Sequence, residues 1–298
     1  MIKKRKKVDY RVFIDIYFII TSLLFLIPFL IVVSASFTGE KELVTKGFSV
    51  IPSKIDFTAY KYAFSNSQEI IRAYIVTITQ AFVGTFISVL VMALCAYPLS
   101  RKDFAYRKVI SFLVFFTMLF NGGLVPTYLL NYKYLHLGNT MWIYILPTMC
   151  NAFHIIILRT FFQGLPISLV ESAKIDGASE IRIFFKLILP LSKPVLATVS
   201  LLTLLAKWND WYTSLIYITD DKLYTLQFLL KRILNEAEFL RQMATEAPPG
   251  IDLTAIQNAP AESLKFAMCI IAAGPMLLIF PFFQKHFAKG MTVGAVKG

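Results

Sequence analysis

The chain alternates between long uncharged stretches and short segments rich in charge. Five stretches contain no Asp, Glu, Lys or Arg: residues 16–39, 73–100, 109–132, 135–158 and 266–284. A sixth, residues 195–219, is equally apolar but is interrupted by Lys207 and Asp210. With a helical rise of about 1.5 Å per residue, each stretch is long enough to cross roughly 30 Å of hydrocarbon. The pattern therefore predicts an all-α membrane protein with six transmembrane helices.

The composition agrees with this prediction. Of the 298 residues, 57% are hydrophobic and only 16% are charged, which is too little charge to cover a soluble protein of this size. The first apolar stretch is longer than that of a cleavable signal, so we interpret it as a retained span. We detect no internal repeat, and residues 1–298 are predicted to form a single transmembrane domain. The three cysteines lie in apolar segments without metal or redox spacing, which is typical of small buried residues.

The basic residues predict the orientation. If the N-terminus lies inside, eighteen Lys and Arg fall in the inner segments and eleven in the outer ones, while six acids are inner and eleven are outer. The inner face then carries the whole net charge of +12. Basic inner loops are the rule for membrane proteins, so we expect a multi-pass membrane protein with both termini cytoplasmic. The charge is interpreted as a topology signal that contacts membrane lipid, and not as a nucleic-acid site.

Four features of individual segments are predicted along the chain. Span three contains Asn121, two glycines and Pro126, which weaken a helix. Span four is expected to run from near Met141 to Arg159. An extracytoplasmic cap is predicted at about residues 220–262, and a cytoplasmic tail at residues 285–298.

The loop between spans four and five, about residues 163–190, has the most specific pattern. It continues as ESAKIDGASEIRIFFKLILPLSKP over residues 171–194. The spacing predicts a short helix, a turn at Gly177, a second amphipathic helix, and a proline stop before the next span. An amphipathic loop lying on lipid is the alternative, but such a loop does not require the Asp-Gly-Ala turn.

This loop resembles the EAA loop of the membrane subunits of binding-protein-dependent ABC importers. That pattern reads Glu-Ala-Ala, three residues, Gly, nine residues, Ile-x-Leu-Pro. Five residues fall in register: Glu171, Ala173, Gly177, Leu189 and Pro190. Ser172 stands at the middle position of Glu-Ala-Ala in place of alanine, and Leu187 replaces the isoleucine. The resemblance implies a type I ABC importer permease fold with a cytoplasmic coupling loop.

The resemblance also implies partners. The loop would dock into an ATP-hydrolysing subunit, with Glu171 pairing a basic residue there and Phe184 and Phe185 filling an apolar pocket. The residues expected at this contact are Glu171, Ser172, Ala173, Asp176, Gly177, Ala178, Phe184, Phe185, Leu189 and Pro190. The other implied partners are a second homologous permease, a second copy of the ATPase, and an extracytoplasmic sugar-binding protein. ATP and Mg would be bound by the ATPase, and no cofactor or metal by this chain.

Two further segments resemble the LplC/YtcP-like branch of the maltose-type permeases, which is associated with oligosaccharides and complex glycans. They are FNGGLVPTYLL, which includes Asn121, and the ending FQKHFAKGMTVGAVKG. The resemblance implies that the tail reaches the interface of the ATPase dimer through its slim residues Gly290, Thr292, Gly294 and Gly298. A frayed basic end is the alternative.

The interrupted fifth span supplies the candidates for the transport path. Aromatic rings with polar edges suit sugar rings, by stacking and by hydrogen bonding, and the run resembles the Trp-Asn-Asp/Glu-aromatic pattern of carbohydrate-type permeases. The candidates in this run are Trp208, Asn209, Asp210, Trp211 and Tyr212. Asn121, Asn151 and His154, which lie in other apolar spans, are candidates of second rank. The alternatives are an outer aromatic belt with a Lys207–Asp210 ion pair on one helical face, and interhelical hydrogen bonding by the Asn and His side chains.

Other function classes lack their motifs. The sequence has no phosphate-binding loop for nucleotide hydrolysis, no metal-ligand spacing and no hydrolase elbow, so no catalytic residue is predicted. Two alternatives stay open at this point. One is a permease for a non-sugar solute. The other is an integral-membrane enzyme acting on lipid or glycan, for which only Lys207 and Asp210 offer acid–base chemistry.

Overall fold

The computed structural model describes residues 10–246 and 260–295, and helices dominate this part of the chain. Within it the only β structure is one isolated antiparallel bridge, between Thr38 and Ile55. In chain order the α-helices are α1 Tyr10–Ser36, α2 Glu40–Lys46, α3 Thr58–Ala63, α4 Ser67–Ser100, α5 Arg107–Leu119, α6 Leu124–Tyr128, α7 Ala152–Gln163, α8 Ile167–Ile175, α9 Glu180–Ile183, α10 Leu189–Leu191, α11 Lys193–Trp208, α12 Tyr212–Tyr217, α13 Leu226–Glu246 and α14 Ala261–Ala295.

Six membrane spans fit these helices. Three are continuous and apolar enough to cross a bilayer, namely α1, α4 and the Ala261–Ile279 part of α14. Three sharply bent pairs pass the same test of length and composition when their halves are counted together: Arg107–Leu119 with Leu124–Tyr134 (116°), Ala152–Gln163 with Ile167–Ile175 (73°), and Glu180–Leu191 with Lys193–Trp208 (81°). In the last two pairs we assign α7 and α11 to the spans, and α8 and α9 to the loop that connects them. The predicted all-α membrane fold is confirmed, and the number of helices agrees with up to six spans.

Span three is broken where the sequence predicted weakness. Helix α5 ends at Leu119 and α6 begins at Leu124. Between them Gly123 has a φ of +85°, which glycine adopts at little cost, and its N–H donates to Asn121 Oδ1 at 2.9 Å. After α6 the chain continues as a π-helical turn, Leu129–Tyr134. Asn121 therefore shapes the break instead of lying inside a regular helix.

Span four is shorter than predicted. The expected helix from Met141 is a single 3₁₀ turn, and α7 begins only at Ala152. Pro147 lacks the N–H that a continuous helix needs in this segment. Asn151 then caps α7, since its side chain accepts a hydrogen bond from the His154 N–H at 3.1 Å. Asn151 thus starts the helix, which the uniform apolarity of residues 135–158 did not indicate.

The chain divides into two compact units, and the prediction of a single domain stays a prediction. The first lies within Met1–Ser67 and Arg232–Gly274, and the second within Gln68–Lys231 and Pro275–Gly298. In the first unit, the Glu40 carboxylate accepts hydrogen bonds from the N–H groups of Glu262 and Ser263 at 2.9–3.0 Å. A carboxylate is well placed there, because the N-terminus of α14 leaves N–H groups unpaired. The cap predicted at 220–262 contains α13, and its residues 247–259 lie outside the described part.

Buried side chains of α4, α7 and the segment 170–199 form the main core of the second unit. They include Met92, Ala96, Leu158, Phe162, Ile183, Phe184, Ile188 and Val199. A smaller cluster joins Val76 of α4 to Ile143, Tyr144, Tyr217 and Ile218. These two clusters position the features that are candidates for function.

Candidate functional site

The predicted turn of the coupling loop is present, and its backbone is that of a Schellman motif. Helix α8 ends at Ile175, and Gly177 follows with a φ of +73°. The Gly177 N–H donates to Lys174 O at 3.0 Å, and the Ala178 N–H donates to Ala173 O at 2.9 Å. These are the two bonds of the motif, which requires a left-handed residue and favours glycine. Gly177 therefore sets the angle between α8 and the second helix of the loop.

The inner face of the loop is anchored in the core of the second unit. Val170 of α8 and Ile183 of α9 are buried, and Ala173 and Ala178 pack partly against the same cluster. Ser179 begins the second helix, because its hydroxyl accepts a hydrogen bond from the Arg182 N–H. The second helix runs through a π-helical turn, Phe184–Ile188, into α10. The loop thus consists of two helices fixed to the membrane helices by apolar packing.

The structure corrects one role assigned to this loop. Phe184 is only 2% exposed, and its ring lies 5.5 Å from that of Tyr97 of α4. It packs inside its own chain, so in this conformation it does not fill a partner's pocket. Phe185 is exposed. Hydrophobic periodicity could not separate the two, because both lie on a short amphipathic helix next to the core.

A polar network ties the loop to the end of α4. The Tyr97 hydroxyl donates to one carboxylate oxygen of Glu180 at 2.7 Å, and Lys174 Nζ lies 2.6 Å from the other. Lys174 also lies 3.4 Å from Asp103, which is paired with Arg101 at 3.2 Å. The hydrogen bond to Glu180 raises the pKa of Lys174, and the hydrogen bond from Arg101 lowers the pKa of Asp103. At Glu180 burial favours a higher pKa, but the bonds from Lys174 and Tyr97 outweigh it and lower the pKa.

The outer face of the loop carries both predicted and unpredicted residues. Glu171, Ser172, Asp176, Gly177 and Pro190 are exposed, whereas Leu189 is partly buried. Glu171 forms no ion pair with any residue in the described part of the chain, so it remains available to a partner.

Two apolar residues on this face were missed by the sequence analysis. Ile175 and Ile181, on either side of the turn, are 86% and 73% exposed. They give the exposed face of the turn an apolar component beside the charged side chain of Glu171. The signal was visible in the sequence as isoleucines at the ends of otherwise polar segments, but the family pattern does not include them.

The interrupted fifth span forms a second site around Lys207. This residue is 5% exposed, and its Nζ donates to Tyr144 O at 3.1 Å and to Thr148 Oγ1 at 2.8 Å. Its own carbonyl accepts from Gln80 Nε2 at 2.6 Å. The side chain passes so close to Gly84 that a Cβ on that glycine would lie 3.0 Å from Lys207 Cδ and Cε. Lys207 thereby connects α4, the segment after Met141, and α11.

The ion pair considered between Lys207 and Asp210 is not formed. Helix α11 ends at Trp208, so the two residues do not share a helical face. Asn209 Nδ2 donates back to Leu205 O at 2.9 Å, and Asp210 accepts from the Thr213 N–H at 3.0 Å. Short polar side chains that bond to nearby backbone compete with a helix in this way.

The aromatic candidates differ in exposure. Trp208 is 1% exposed, so both faces of its ring are covered in this conformation. Trp211 is partly buried, and Lys231 Nζ lies 3.2 Å above its ring. Tyr212 is exposed and meets Trp211 edge to face. Asn209 is exposed and accepts a hydrogen bond from Gln227. Tyr212 and Asn209 are therefore the candidates of this run most open to a solute.

The remaining predicted residues have other surroundings. Asn121 and Asn151 are exposed at the helix breaks described above, and His154 Nδ1 lies 3.4 Å from Thr203 Oγ1. Gly290, Thr292 and Gly294 fall within α14, and Gly298 lies outside the described residues. Within the described ranges no group of three or more His, Cys, Asp and Glu could hold a metal ion.

The two sites and the helices that hold them define a class: a polytopic membrane subunit with a rigid two-helix loop and a polar contact buried among its spans. Residues 10–293 match the family of binding-protein-dependent transport system inner membrane components. The chain belongs to this family, and it is a permease subunit of an ABC importer, not an enzyme.

Relatives agree with this assignment. The chain is 41% identical to the polygalacturonan/rhamnogalacturonan transport system permease protein YtcP of Bacillus subtilis (strain 168), over 95% of this chain and 96% of that one. It is 42% identical to protein LplC of the same organism, over 92% and 90% of the two chains. A solved chain from a bacterial ABC transporter that imports the acidic polysaccharide alginate matches with a TM-score of 0.76 and 27% identity, covering 96% of this chain and 99% of that chain.

Proposed function

We propose that this permease forms half of the translocation path for a sugar, an oligosaccharide or complex glycan, that an extracytoplasmic binding protein delivers. Its coupling loop seats in an ATPase subunit, and a second homologous permease completes the path. The ATPase pair binds and hydrolyses ATP with Mg. The observation that carries the proposal is the structure of the loop. Its two short helices meet at an angle fixed by Gly177. On one side they pack into the hydrophobic core shared with α4 and α7, and on the other side they expose Ile175 and Ile181.

The loop has the properties that a mechanical connection requires. Its inner face shares a core with α4 and α7, and close-packed cores transmit displacement because they resist compression. Its outer face offers Glu171 for a charged contact and two isoleucines for an apolar one. Closure of the ATPase pair would move the loop, and the loop would move the spans between inward-open and outward-open states. The free energy comes from differential stabilisation of the two states, not from chemistry in this chain.

Two observations support sugar as the solute. The names of similar permeases and of the solved importer refer to polygalacturonan, rhamnogalacturonan and alginate. Tyr212 presents an exposed aromatic ring at the end of the fifth span, which suits the C–H faces of sugar rings. The excess of basic residues in the inner segments supports cytoplasmic termini. Uptake of labelled glycans, compared between the wild type and a deletion strain, tests the solute: no difference for glycans, with lost uptake of another solute, would contradict it.

The coupling role is tested by Gly177→Asp in the complete importer. The structure has no atom within 4 Å of a Cβ at Gly177, so the new side chain projects into the space that the ATPase would occupy. Its φ of +73° adds backbone strain of about 1 kcal/mol. We expect loss of transport and of ATPase association, with the permease still inserted in the membrane.

Gly47→Asp is the matched control. Gly47 ends α2 with a φ of +77°, and a Cβ there would also meet nothing within 4 Å. The two variants share the added charge and a positive φ, and the backbone strain is the larger at Gly47, because its ψ of −160° lies in a region that only glycine adopts readily. Gly47→Asp should keep its ATPase. Normal uptake by the Gly177→Asp importer would contradict the coupling role, and equal loss in both variants would attribute the defect to strain alone.

A further inference from the structure

A cavity beside the coupling loop carries a charge pattern that the proposed transport function does not use. Its volume is about 520 Å³, and Arg101, Lys102 and Arg107 are among the side chains that line it, with no carboxylate in the lining. The remaining walls include the polar groups of Ser100 and Gln163 and apolar side chains of α7 and α8. The cavity therefore combines cationic donors with a hydrophobic wall.

Most of this positive charge is not neutralised. Arg101 is paired with Asp103 through Nε at 3.2 Å and Nη2 at 3.3 Å. Lys102 and Arg107 have no ion pair with the residues that the structure describes. Basic groups gathered without counter-charge repel each other, and an anion that binds between them relieves this repulsion.

The start of α5 adds to the uncompensated positive charge at this cavity. The helix begins at Arg107 after an N-cap, Tyr106, that makes no side-chain hydrogen bond, and its first turn contains no acid. A helix N-terminus carries partial positive charge and favours anions. Here the sequence places Arg107 and Lys108 at that end, which is the unfavourable sign. A bound anion would offset both the charge of the side chains and the positive end of the helix.

The position of the cavity indicates which anion. Ser100 is the last residue of α4, Arg107 the first of α5, and Gln163 the last of α7. Three spans thus end at the cavity, which places it at the boundary between hydrocarbon and water. Phospholipid phosphates lie at this depth, and basic pockets between spans on the cytoplasmic side bind anionic headgroups.

We propose that this cavity binds the headgroup phosphate of an anionic phospholipid, with Lys102 and Arg107 as its principal donors and the apolar wall against the glycerol and upper acyl chain. The inference rests on the cytoplasmic orientation of the proposed function. A lipid held here would lie between the end of α4 and the coupling loop, because Val170 of α8 is part of the lining.

The test uses the assembled importer in nanodiscs of phosphatidylcholine with a minor fraction of phosphatidylglycerol. After transfer to detergent, native mass spectrometry counts the phosphatidylglycerol molecules that remain bound. A basic residue near an anionic surface contributes roughly a fivefold change in affinity. The Lys102→Gln/Arg107→Gln double variant should therefore retain phosphatidylglycerol about 25-fold more weakly.

Two variants make the result specific. Lys108→Gln removes the neighbouring charge on the same helix turn from a residue that is exposed and outside the lining, so it should retain lipid as the wild type does. The single variant Arg107→Lys, in which Lys102 is unchanged, keeps both positive charges. It should therefore retain most of the phosphatidylglycerol that the wild type retains. Size-exclusion chromatography of each assembly shows that loss of lipid is not loss of folding.

The other outcomes overturn the proposal. Equal loss in Lys108→Gln would show general surface attraction instead of a site. Displacement of the lipid by millimolar inorganic phosphate would show a site for a soluble anion. Unchanged retention in the double variant, with a released ATPase, would assign the basic residues to an acidic surface of the motor. The bound lipid is counted without ATP or sugar, so the lipid measurement does not depend on the transport tests. It can be interpreted even if the Gly177→Asp experiment contradicts the coupling role.

Discussion

The close approach of Gly84 and Lys207 gives the sharpest test of how the spans are held together. In Gly84→Ala the new methyl carbon would lie 3.0 Å from Lys207 Cδ and Cε and 3.2 Å from Nζ. Apolar atoms are most stable at about 3.5–4.0 Å. The lysine side chain must therefore move by a few tenths of an ångström, away from a position that two hydrogen bonds fix at 3.1 and 2.8 Å.

The expected cost follows from these contacts. Overpacking of a filled interior costs about 1–3 kcal/mol, and a weakened hydrogen bond from a buried cation costs part of its 1.5–3 kcal/mol or so. We expect Gly84→Ala to lower the free energy of unfolding by about 2 kcal/mol. In the Lys207→Ala background the obstructing atoms are absent, so the same change at Gly84 should be nearly neutral. The coupling energy between the two sites is then also about 2 kcal/mol.

The assay is a double-mutant cycle of equilibrium unfolding, with the permease titrated from mild detergent into SDS and followed by tryptophan fluorescence. Gly274→Ala is the control, because Gly274 lies within α14 and a Cβ there would meet nothing within 4 Å. It should be neutral or slightly stabilising, since alanine favours helix. If Gly84→Ala costs the same with and without the Lys207 side chain, the two sites are independent and the reasoning fails.

Three further predictions concern the loop and the final helix. Ile175→Asp should weaken association with the ATPase about 10- to 100-fold in a pull-down titration, because an isoleucine contact is worth roughly 1.5–3 kcal/mol; Ile51→Asp, at a residue 79% exposed, is the control, and equal weakening would point to a general effect. Tyr97→Phe removes the 2.7 Å bond to Glu180, and should raise ATP hydrolysed per sugar imported; an unchanged ratio would show that the bond has no part in coupling. Glu40→Gln should speed hydrogen exchange in the first turn of α14, by about fivefold for a loss of roughly 1 kcal/mol, whereas unchanged exchange would contradict the capping role.

The sequence predicted the features that depend on local patterns. The charge-free stretches at residues 16–39 and 73–100 correspond to the continuous helices α1 and α4, because length and apolarity predict that a segment crosses the membrane. The turn at Gly177 was predicted from its spacing, since glycine there has a specific backbone role. Features that depend on direction were not predictable in this way: apolarity does not indicate that span three bends at Gly123 by 116° or that span four starts only at Ala152.

Tertiary packing decided the other differences. Phe184 and Phe185 are neighbours in an amphipathic segment, and the packing of Phe184 against Tyr97 and the surrounding core decides which one is buried. Lys207 and Asp210 have helical spacing, but the polar side chain of Asn209 ends the helix between them. The contacts of Lys207 with Thr148 and Gly84 join residues 59 or more positions apart in the chain, and no single-sequence pattern reports such pairs.

The core that the coupling loop shares with the membrane helices affects how much ATP an importer of this kind hydrolyses for each solute that it transports. If the loop were attached by a flexible segment, the ATPase pair could close without moving the membrane helices, and ATP would be hydrolysed without transport. Here Ile183 and Phe184 are wedged among the same side chains that hold α4 to α7, so loop and spans form one lever with no play at the joint. An importer that couples through this loop, as proposed above, would limit idle ATP hydrolysis by the stiffness of this connection.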